Sequence, residues 1–304
     1  MIRTEFATAA GPMSALCWDR AGPHAPWLHF AHATGMNAQV YARLLEPLAG
    51  RFRMIASDAR GHGLTRLPAD PAALDSWQVF AADLGALLDA VAPDARWLLA
   101  GHSMGAAVSA LVAAQLAQRA AGLVMVEPAM VPFALAPHYE TARRAGNPPV
   151  SSIAEQAARR RPGFADAAEA RAAYAGRGLF GSWADADLDA YLAGGLRGLP
   201  GGGVRLGCTP AYEAATFRAV TTGMEAALAA LACPFALVAG DQGSTVQDAD
   251  LAAMAAMPRC LSAVRLPGTT HFVPLEAPAA VRDAVLRIAD AGWEPAAAFT
   301  AAAR

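Results

Sequence analysis

Residues 98–108 read LLAGHSMGAAV, an apolar run, a Gly-His-Ser-Met-Gly turn and an alanine-rich stretch. The run predicts a strand and the stretch predicts a helix, and a G-x-S-x-G turn between them is typical of a nucleophile elbow. The alternative, a chance Gly-Ser turn, is disfavoured by both flanking elements. Because Gly101 and Gly105 leave room for a tight turn, Ser103 is lifted above the sheet. The sequence thus predicts Ser103 as a nucleophile, with the Met104 N–H as an oxyanion donor.

The rest of the chain alternates short apolar runs with amphipathic stretches. Strands are predicted at 26–32, 52–58, 96–101, 122–127, 234–240 and 261–268. Helices are predicted at 38–49, 76–92, 104–120 and 278–292. This alternation predicts an α/β fold with a mostly parallel central sheet and helices on both faces. Two further runs near the N-terminus are expected to form an antiparallel hairpin.

The alternation stops between residues 131 and 222. This stretch is rich in Gly and Pro, with a charge run at 158–162 and a turn-rich segment at 198–207. We expect 131–222 to be an inserted helical lid. Residues 1–130 and 223–304 would then form the core of the fold.

Two loops supply the other groups that a serine nucleophile needs. His271 follows the last predicted strand, in GTTHFVPLEAP. A serine hydroxyl is a poor nucleophile until a base takes its proton, and a histidine suits that task at neutral pH. After the strand at 26–32 comes His-Ala-Thr-Gly, whose small residues allow close approach to the elbow. We expect the second oxyanion donor there, from the Thr34 N–H or alternatively the Ala33 N–H.

Together these features resemble the α/β-hydrolase fold superfamily, in particular serine hydrolases with a nucleophile elbow and a lid. The matching segments are HATG (32–35), DARGHG (58–63), GHSMG (101–105) and HFVPLEAP (271–278), in the family's order. The resemblance spans about residues 25–292. It implies a mainly structural role for DARGHG, and no metal or organic cofactor is implied.

The resemblance leaves two candidates for the acid of the catalytic triad. The family most often places it after the seventh strand, where this chain has Gly243, and Asp241 lies two residues too early. A minority of the family places it after the sixth strand, where Glu127 follows Ser103 by 24 residues. We favour Glu127, with Asp241 as the alternative acid. In their non-catalytic interpretations, Asp241 caps a turn and Glu127 pairs with a lid arginine such as Arg143.

Composition narrows the class of partner. Hydrophobic residues make up 55% of the 304 residues and charged residues 16%, with a net charge of −2 and four cysteines that are far apart in the sequence. Nothing in this balance favours a nucleic-acid surface, a membrane segment, a zinc site or a disulfide framework. We therefore expect a cytoplasmic protein, a monomer or homodimer, that acts on a small molecule.

A serine nucleophile most directly implies an acyl-enzyme mechanism. The expected substrate is a carboxylic ester, thioester or lactone of small to medium size and largely apolar character, since the predicted lid is rich in aromatic residues. Three alternatives use the same fold: carbon–carbon bond hydrolysis, cofactor-free perhydrolysis or lyase chemistry, and ligand reception without turnover.

Overall fold

The structure is a computed structural model that describes residues 1–293. Residues 294–304, the end of the predicted core, lie outside this range. Within it the strands are β1 (Ile2–Thr8), β2 (Gly11–Trp18), β3 (Trp27–Ala31), β4 (Arg53–Ser57), β5 (Trp97–His102), β6 (Ala120–Val126), β7 (Gly163–Phe164), β8 (Leu196–Gly198), β9 (Val204–Leu206), β10 (Phe235–Gly240) and β11 (Cys260–Leu266). The α-helices are α1 (Ala42–Leu45), α2 (Gln78–Val91), α3 (Met104–Leu116), α4 (Ala136–Arg144), α5 (Ser152–Ala158), α6 (Ala167–Tyr174), α7 (Asp185–Gly195), α8 (Pro210–Arg218), α9 (Met224–Ala229), α10 (Asp248–Ala255), α11 (Val273–Glu276) and α12 (Pro278–Gly292).

Eight strands form one sheet in the order β1-β2-β4-β3-β5-β6-β10-β11. β1 pairs with β2, and β2 with β4, in antiparallel register, whereas the remaining neighbours are parallel. The predicted α/β class, the mostly parallel sheet and the entry hairpin are therefore confirmed. The six predicted sheet strands appear as β3, β4, β5, β6, β10 and β11, with ends displaced by at most two residues.

Both faces of the central strands are buried, which is why these strands are continuous apolar runs. On one face Leu99 and Leu123 pack in a core cluster with residues of α2 and α3. On the other face Leu98 and Val124 pack in a second cluster with residues of α12. The carboxyl ends of the parallel strands thus open at one edge of a rigid three-layer scaffold, where ligands bind in folds of this kind.

The predicted helix at 38–49 is not continuous. A 3-10 turn capped by the Asn37 side chain precedes α1, and a second 3-10 turn follows it. Pro47 lies in that second turn and has no N–H to extend an α-helical hydrogen-bond ladder. The amphipathic pattern therefore forms three short helical pieces.

Residues 131–222 contain α4 to α8 and a small antiparallel sheet in the order β7-β9-β8. The segment is therefore only partly helical. The turn-rich stretch 198–207 forms most of a hairpin between β8 and β9, in which Gly202 and Gly203 adopt φ of +90° and +80°. Glycine reaches these angles without strain, so a run that predicts a loop also suits a tight hairpin turn.

The two ends of this segment lie side by side, since the Val131 N–H donates to the Thr221 carbonyl at 3.4 Å. Asp250 of α10 accepts from the Phe133 N–H at 3.0 Å and fixes where the chain leaves the core. Within residues 1–293, no helix is both long enough and apolar enough to cross a bilayer.

Candidate active site

The elbow lies between β5 and α3. Ser103 adopts φ +56° and ψ −119°, a conformation that non-glycine residues rarely adopt, and only 5% of the residue is exposed. A Cβ on Gly101 would lie 2.5 Å from the Gly105 carbonyl carbon, and one on Gly105 would lie 2.3 Å from the Ala31 carbonyl oxygen. Larger residues at either position would push β5, α3 and β3 apart. The two glycines thus hold Ser103 in place.

Glu127 directly follows β6 and adopts φ +47°. Its backbone N–H donates to the Val238 carbonyl at 2.9 Å, so the residue stays anchored to β10. The fully buried carboxylate accepts a hydrogen bond from His271 Nδ1 to Oε2 at 2.9 Å. Because Nδ1 donates, the neutral imidazole keeps its lone pair on Nε2, the atom that a general base needs.

Four donors from the β10 strand end and the loop after it also hold the Glu127 carboxylate, the weakest being the Thr245 hydroxyl at 3.3 Å from Oε2. Oε1 accepts from the Gly240 N–H and the Ser244 hydroxyl, both at 2.6 Å, and Oε2 accepts from the Thr245 N–H at 3.1 Å. Burial raises the pKa of this carboxyl, but the hydrogen bonds from His271, Ser244 and Gly240 outweigh it and lower the pKa to about 2. Glu127 is therefore ionised at neutral pH.

Asp241 and Arg143 both have partners away from the Glu127–His271 pair. Asp241 is exposed and accepts from the Gly268 N–H at 2.9 Å, so it caps a turn as its alternative interpretation predicts. Arg143 pairs with Glu140 and donates to the Val220 carbonyl at 3.3 Å, away from Glu127. The structure thus brings Glu127, and not Asp241, to His271.

The candidate oxyanion donors differ in whether they have partners. The Ala33 N–H donates to the Tyr41 hydroxyl at 3.1 Å and is therefore occupied. The Thr34 N–H has no hydrogen-bond partner among residues 1–293, and Met104 begins α3, where backbone N–H groups lack intrahelical partners. The geometry favours Thr34 over Ala33 as the partner of Met104.

His102 connects the loop after β3 to the loop that carries His271, a role that the sequence did not suggest. Its Nδ1 accepts from the Tyr41 hydroxyl at 2.8 Å, and its Nε2 donates to the His271 carbonyl at 2.7 Å. Burial, followed by the proximity of His271, lowers the pKa of His102 to about 3, so the ring is neutral and keeps this pattern. The chain of bonds runs from the Ala33 N–H through Tyr41 and His102 to the backbone of His271.

A cavity of about 690 Å³ opens at Ser103 and His271. Apolar side chains of the 131–222 segment form much of its wall, among them Val131, Leu135 and Phe217. Among the described residues that line it, none is Asp, Glu, Lys or Arg. The Ser103 hydroxyl makes no hydrogen bond within residues 1–293. Catalytic hydrogen bonds are often long or poorly aligned without substrate.

A second, smaller cavity of about 150 Å³ shares Ser103 and His271 and extends past Thr34. Its wall includes the charged pair Arg160 and Glu213. Arg160 belongs to the charge run at 158–162, which the sequence presented only as a polar part of the insertion. No spacing signal ties it to the elbow, because α5 brings it there only through tertiary packing. Within residues 1–293, no group of three or more His, Cys, Asp or Glu residues is arranged to hold a metal ion.

An elbow serine, a buried carboxylate–histidine pair and a parallel sheet with helices on both faces define an α/β hydrolase. The model of the Alpha/beta hydrolase family matches residues 30–284, and the chain belongs to that family. The protein is a hydrolase.

Individual relatives cover most of the chain. The 2-(acetamidomethylene)succinate hydrolase of Mesorhizobium japonicum is 26% identical over 281 residues, 88% of each chain. The crystal structure of E-2-(acetamidomethylene)succinate hydrolase has a TM-score of 0.75 at 23% identity, covering 95% of this chain and 99% of that one. The thioesterase domain from the curacin biosynthetic pathway has a TM-score of 0.68 at 21% identity, covering 94% and 99%. The structural matches show a common fold.

Proposed function

We propose that this hydrolase cleaves a carboxylic ester, thioester or lactone through an acyl-enzyme on Ser103. The observation that carries the proposal is the 2.9 Å contact between His271 Nδ1 and the buried Glu127 carboxylate, with His271 and Ser103 on the wall of one cavity. These are the groups of a serine–histidine–acid triad. Their completeness favours turnover over ligand reception.

The proposed mechanism assigns one task to each group. His271 Nε2 takes the Ser103 hydroxyl proton as Oγ attacks the carbonyl carbon, and the imidazolium then protonates the leaving group. The N–H groups of Met104 and Thr34 hold the oxyanion of the tetrahedral intermediate. Glu127 fixes the tautomer of His271 and stabilises its cationic form. Water, activated by the same histidine, hydrolyses the acyl-enzyme.

We assign the 131–222 segment as the lid of this site, on a core formed by 1–130 and 223–304. Its side chains form walls of both cavities that contain Ser103, which supports this assignment. The large cavity has no permanent charge on its wall and suits an apolar group of a small-molecule substrate.

Amide hydrolysis is the second candidate. A relative that matches 88% of this chain is named for an acetamido compound, 2-(acetamidomethylene)succinate. The same triad attacks an amide carbonyl when the departing nitrogen can be protonated by the histidine. The two candidates differ in the leaving group and share every residue assigned above.

Covalent labelling tests the nucleophile. A fluorophosphonate probe should label the wild-type protein in a single position, because His271 activates Ser103 and the phosphonyl oxygen enters the oxyanion site. Ser103→Ala should abolish labelling, while Ser262→Ala, a serine substitution on β11, should leave it unchanged. Intact mass spectrometry measures the adduct. Labelling that persists in Ser103→Ala would show that the nucleophile is another residue.

Ser244→Ala removes one donor from the Glu127 carboxylate. A hydrogen bond to a charged group is worth more than a neutral one, so we expect kcat for an activated ester to fall by about tenfold. KM should change little, because Ser244 is not among the residues that line either cavity. Steady-state kinetics measure both values. A change in KM alone would contradict a positioning role.

A further inference from the structure

The oxyanion loop, residues 32–37, has small residues at its centre, Ala33, Thr34 and Gly35. Such residues give the loop little side-chain surface with which to hold its own shape, and Gly35 adopts φ +74°. A displacement of about 1 Å at a catalytic group can cost on the order of 10² in rate. The Thr34 N–H therefore needs support from residues outside the loop.

The 131–222 segment contacts this loop at two points. At the first, a Cβ on Gly35 would lie 2.4 Å from Glu213 Oε1, so the carboxylate from α8 occupies the place of a side chain. At the second, the fully buried Asn37 donates from Nδ2 to the Tyr191 carbonyl of α7 at 2.9 Å. Both α7 and α8 thus meet the oxyanion loop.

Arg160 joins these two contacts. It donates from Nη1 to Glu213 Oε2 at 2.6 Å and from Nη2 to the Tyr191 hydroxyl at 2.7 Å. The side chains of Arg160 and Glu213 are only 15% and 6% exposed. Hydrogen bonds in such an environment are stronger than in water, and a buried network makes the elements that carry it rigid. The network therefore keeps α7 and α8 in one arrangement where they meet the loop.

We propose that the network of Arg160, Glu213 and Tyr191 holds the oxyanion loop in the position that catalysis needs. The Thr34 N–H contacts the oxyanion, and the network acts on the reaction through the loop. The lid then supplies part of the catalytic geometry in addition to the cavity walls. This inference rests on the proposed function, because an oxyanion forms only when Ser103 attacks a carbonyl group.

Direct contact with the substrate is the alternative role, since the same three residues line the small cavity. A lost substrate contact raises KM, whereas a displaced oxyanion donor lowers kcat and leaves KM nearly unchanged. The test variants must also preserve the net charge of the wall, because an unpaired arginine would itself attract the oxyanion.

Two variants weaken the network without changing that net charge. Tyr191→Phe removes one acceptor of Arg160 and keeps the aromatic ring. The double variant Arg160→Met with Glu213→Met replaces the ion pair by two unbranched apolar side chains, an exchange that often leaves stability unchanged. Tyr174→Phe is the matched control, because the Tyr174 hydroxyl of α6 accepts only a longer bond, 3.3 Å, from the same arginine.

Steady-state kinetics with 4-nitrophenyl butanoate measure the effect in the full-length protein. Loss of a whole oxyanion donor costs 10²–10³ in kcat, so a displaced one should cost about threefold in Tyr191→Phe and about tenfold in the double variant. KM should change by less than about twofold in both. Tyr174→Phe should retain the wild-type kcat.

A second measurement is specific to the oxyanion site. The ketone 1,1,1-trifluoroheptan-2-one adds to Ser103 and presents an oxyanion to the N–H groups of Met104 and Thr34. Its Ki should therefore rise by the same factor by which kcat/KM falls. The pH dependence of kcat/KM should keep its wild-type midpoint, because the Glu127–His271 pair is untouched.

The outcomes separate this inference from the proposed function. An unchanged kcat in folded Tyr191→Phe, a rise in KM alone, or an equal loss in Tyr174→Phe would overturn the positioning role and leave the Ser103 mechanism standing. Circular dichroism establishes folding, and Tyr191→Phe suffices for the test if the double variant does not fold. A wild-type protein with no turnover and no labelling at Ser103 would overturn the proposed function and this inference with it.

Discussion

Glu127→Gln is expected to lower kcat by about 10⁴ while the protein stays folded. The amide can still occupy the site, but it does not stabilise the imidazolium that forms when His271 takes the serine proton, and it allows the wrong tautomer. Asp241→Asn is the matched control, because Asp241 caps an exposed turn at Gly268. This variant should retain kcat within a few fold.

The measurement is kcat for an activated ester above pH 7, where a free imidazole is neutral and can act without the acid. Thermal unfolding of both variants checks that the loss is not a loss of structure. The assignment is wrong if Asp241→Asn loses more activity than Glu127→Gln.

Acid should unfold this protein at about pH 5. Burial lowers the pKa of His29, His62 and His102 to about 3 and that of His32 to about 4. Each folded-state pKa lies below the unfolded value near 6.5, so the unfolded chain takes up protons first as the pH falls. The stability is fully present above pH 6.5 and is lost as the pH falls from 6.5 towards 4.

The size of the loss of stability in acid follows from the number of buried histidines that titrate only in the unfolded chain. One group that titrates only in the unfolded state changes stability by about 1.4 kcal/mol per pH unit, so the four histidines together reach on the order of 5 kcal/mol per unit. Domain stabilities of about 5–15 kcal/mol are exhausted within a few units. Glu127, with its lowered pKa, adds a further loss below pH 4.5.

Denaturant unfolding at a series of pH values measures this slope. His29→Gln removes one titrating group, so the slope of the free energy of unfolding against pH should fall by about 1.4 kcal/mol per unit, which corresponds to one proton. The glutamine can keep a hydrogen bond to Ser57, which His29 Nε2 contacts at 2.8 Å, so the variant should stay folded. His24→Gln, at an exposed position, should leave it unchanged. A stability that is flat between pH 6.5 and 5 would contradict the prediction.

The sequence allowed prediction of those features that are encoded locally. The Gly-x-Ser-x-Gly turn needs small residues at fixed spacing, so Ser103 could be predicted as the nucleophile. The strands that are buried on both faces appear as uninterrupted apolar runs, so the sheet could be predicted as well. Glu127 was favoured over Asp241 because Gly243 occupies the family's usual acid position, whereas Glu127 occupies the alternative position after the sixth strand. In the structure, Ser244 and Thr245 of the loop after β10 donate to Glu127, whereas Asp241 of the same loop is directed to the Gly268 N–H.

Features that depend on tertiary packing had no such signal. Arg160 lies 57 positions after Ser103 in the chain, in a run that resembles a solvated charge cluster. It faces the site only because α5 and α8 pack together and bring it to Glu213. The hairpin at 198–207 could likewise not be predicted from the sequence, because a glycine-rich turn has the same composition whether or not short strands flank it.

Two residues of the site, Ser103 and Glu127, have positive φ angles of 56° and 47°. A left-handed conformation costs a non-glycine residue roughly 1–2 kcal/mol, and glycine avoids most of that cost. A laboratory evolution experiment that selects only for heat resistance should therefore enrich glycine at codon 103, where the lost hydroxyl makes no hydrogen bond within residues 1–293, and yield more stable but inactive proteins. At codon 127 glycine should not be enriched, because it would leave the buried donors to the carboxylate unpaired. Selection for stability must therefore be combined with a screen for turnover, since two of the three non-glycine residues with positive φ within residues 1–293 belong to the candidate active site.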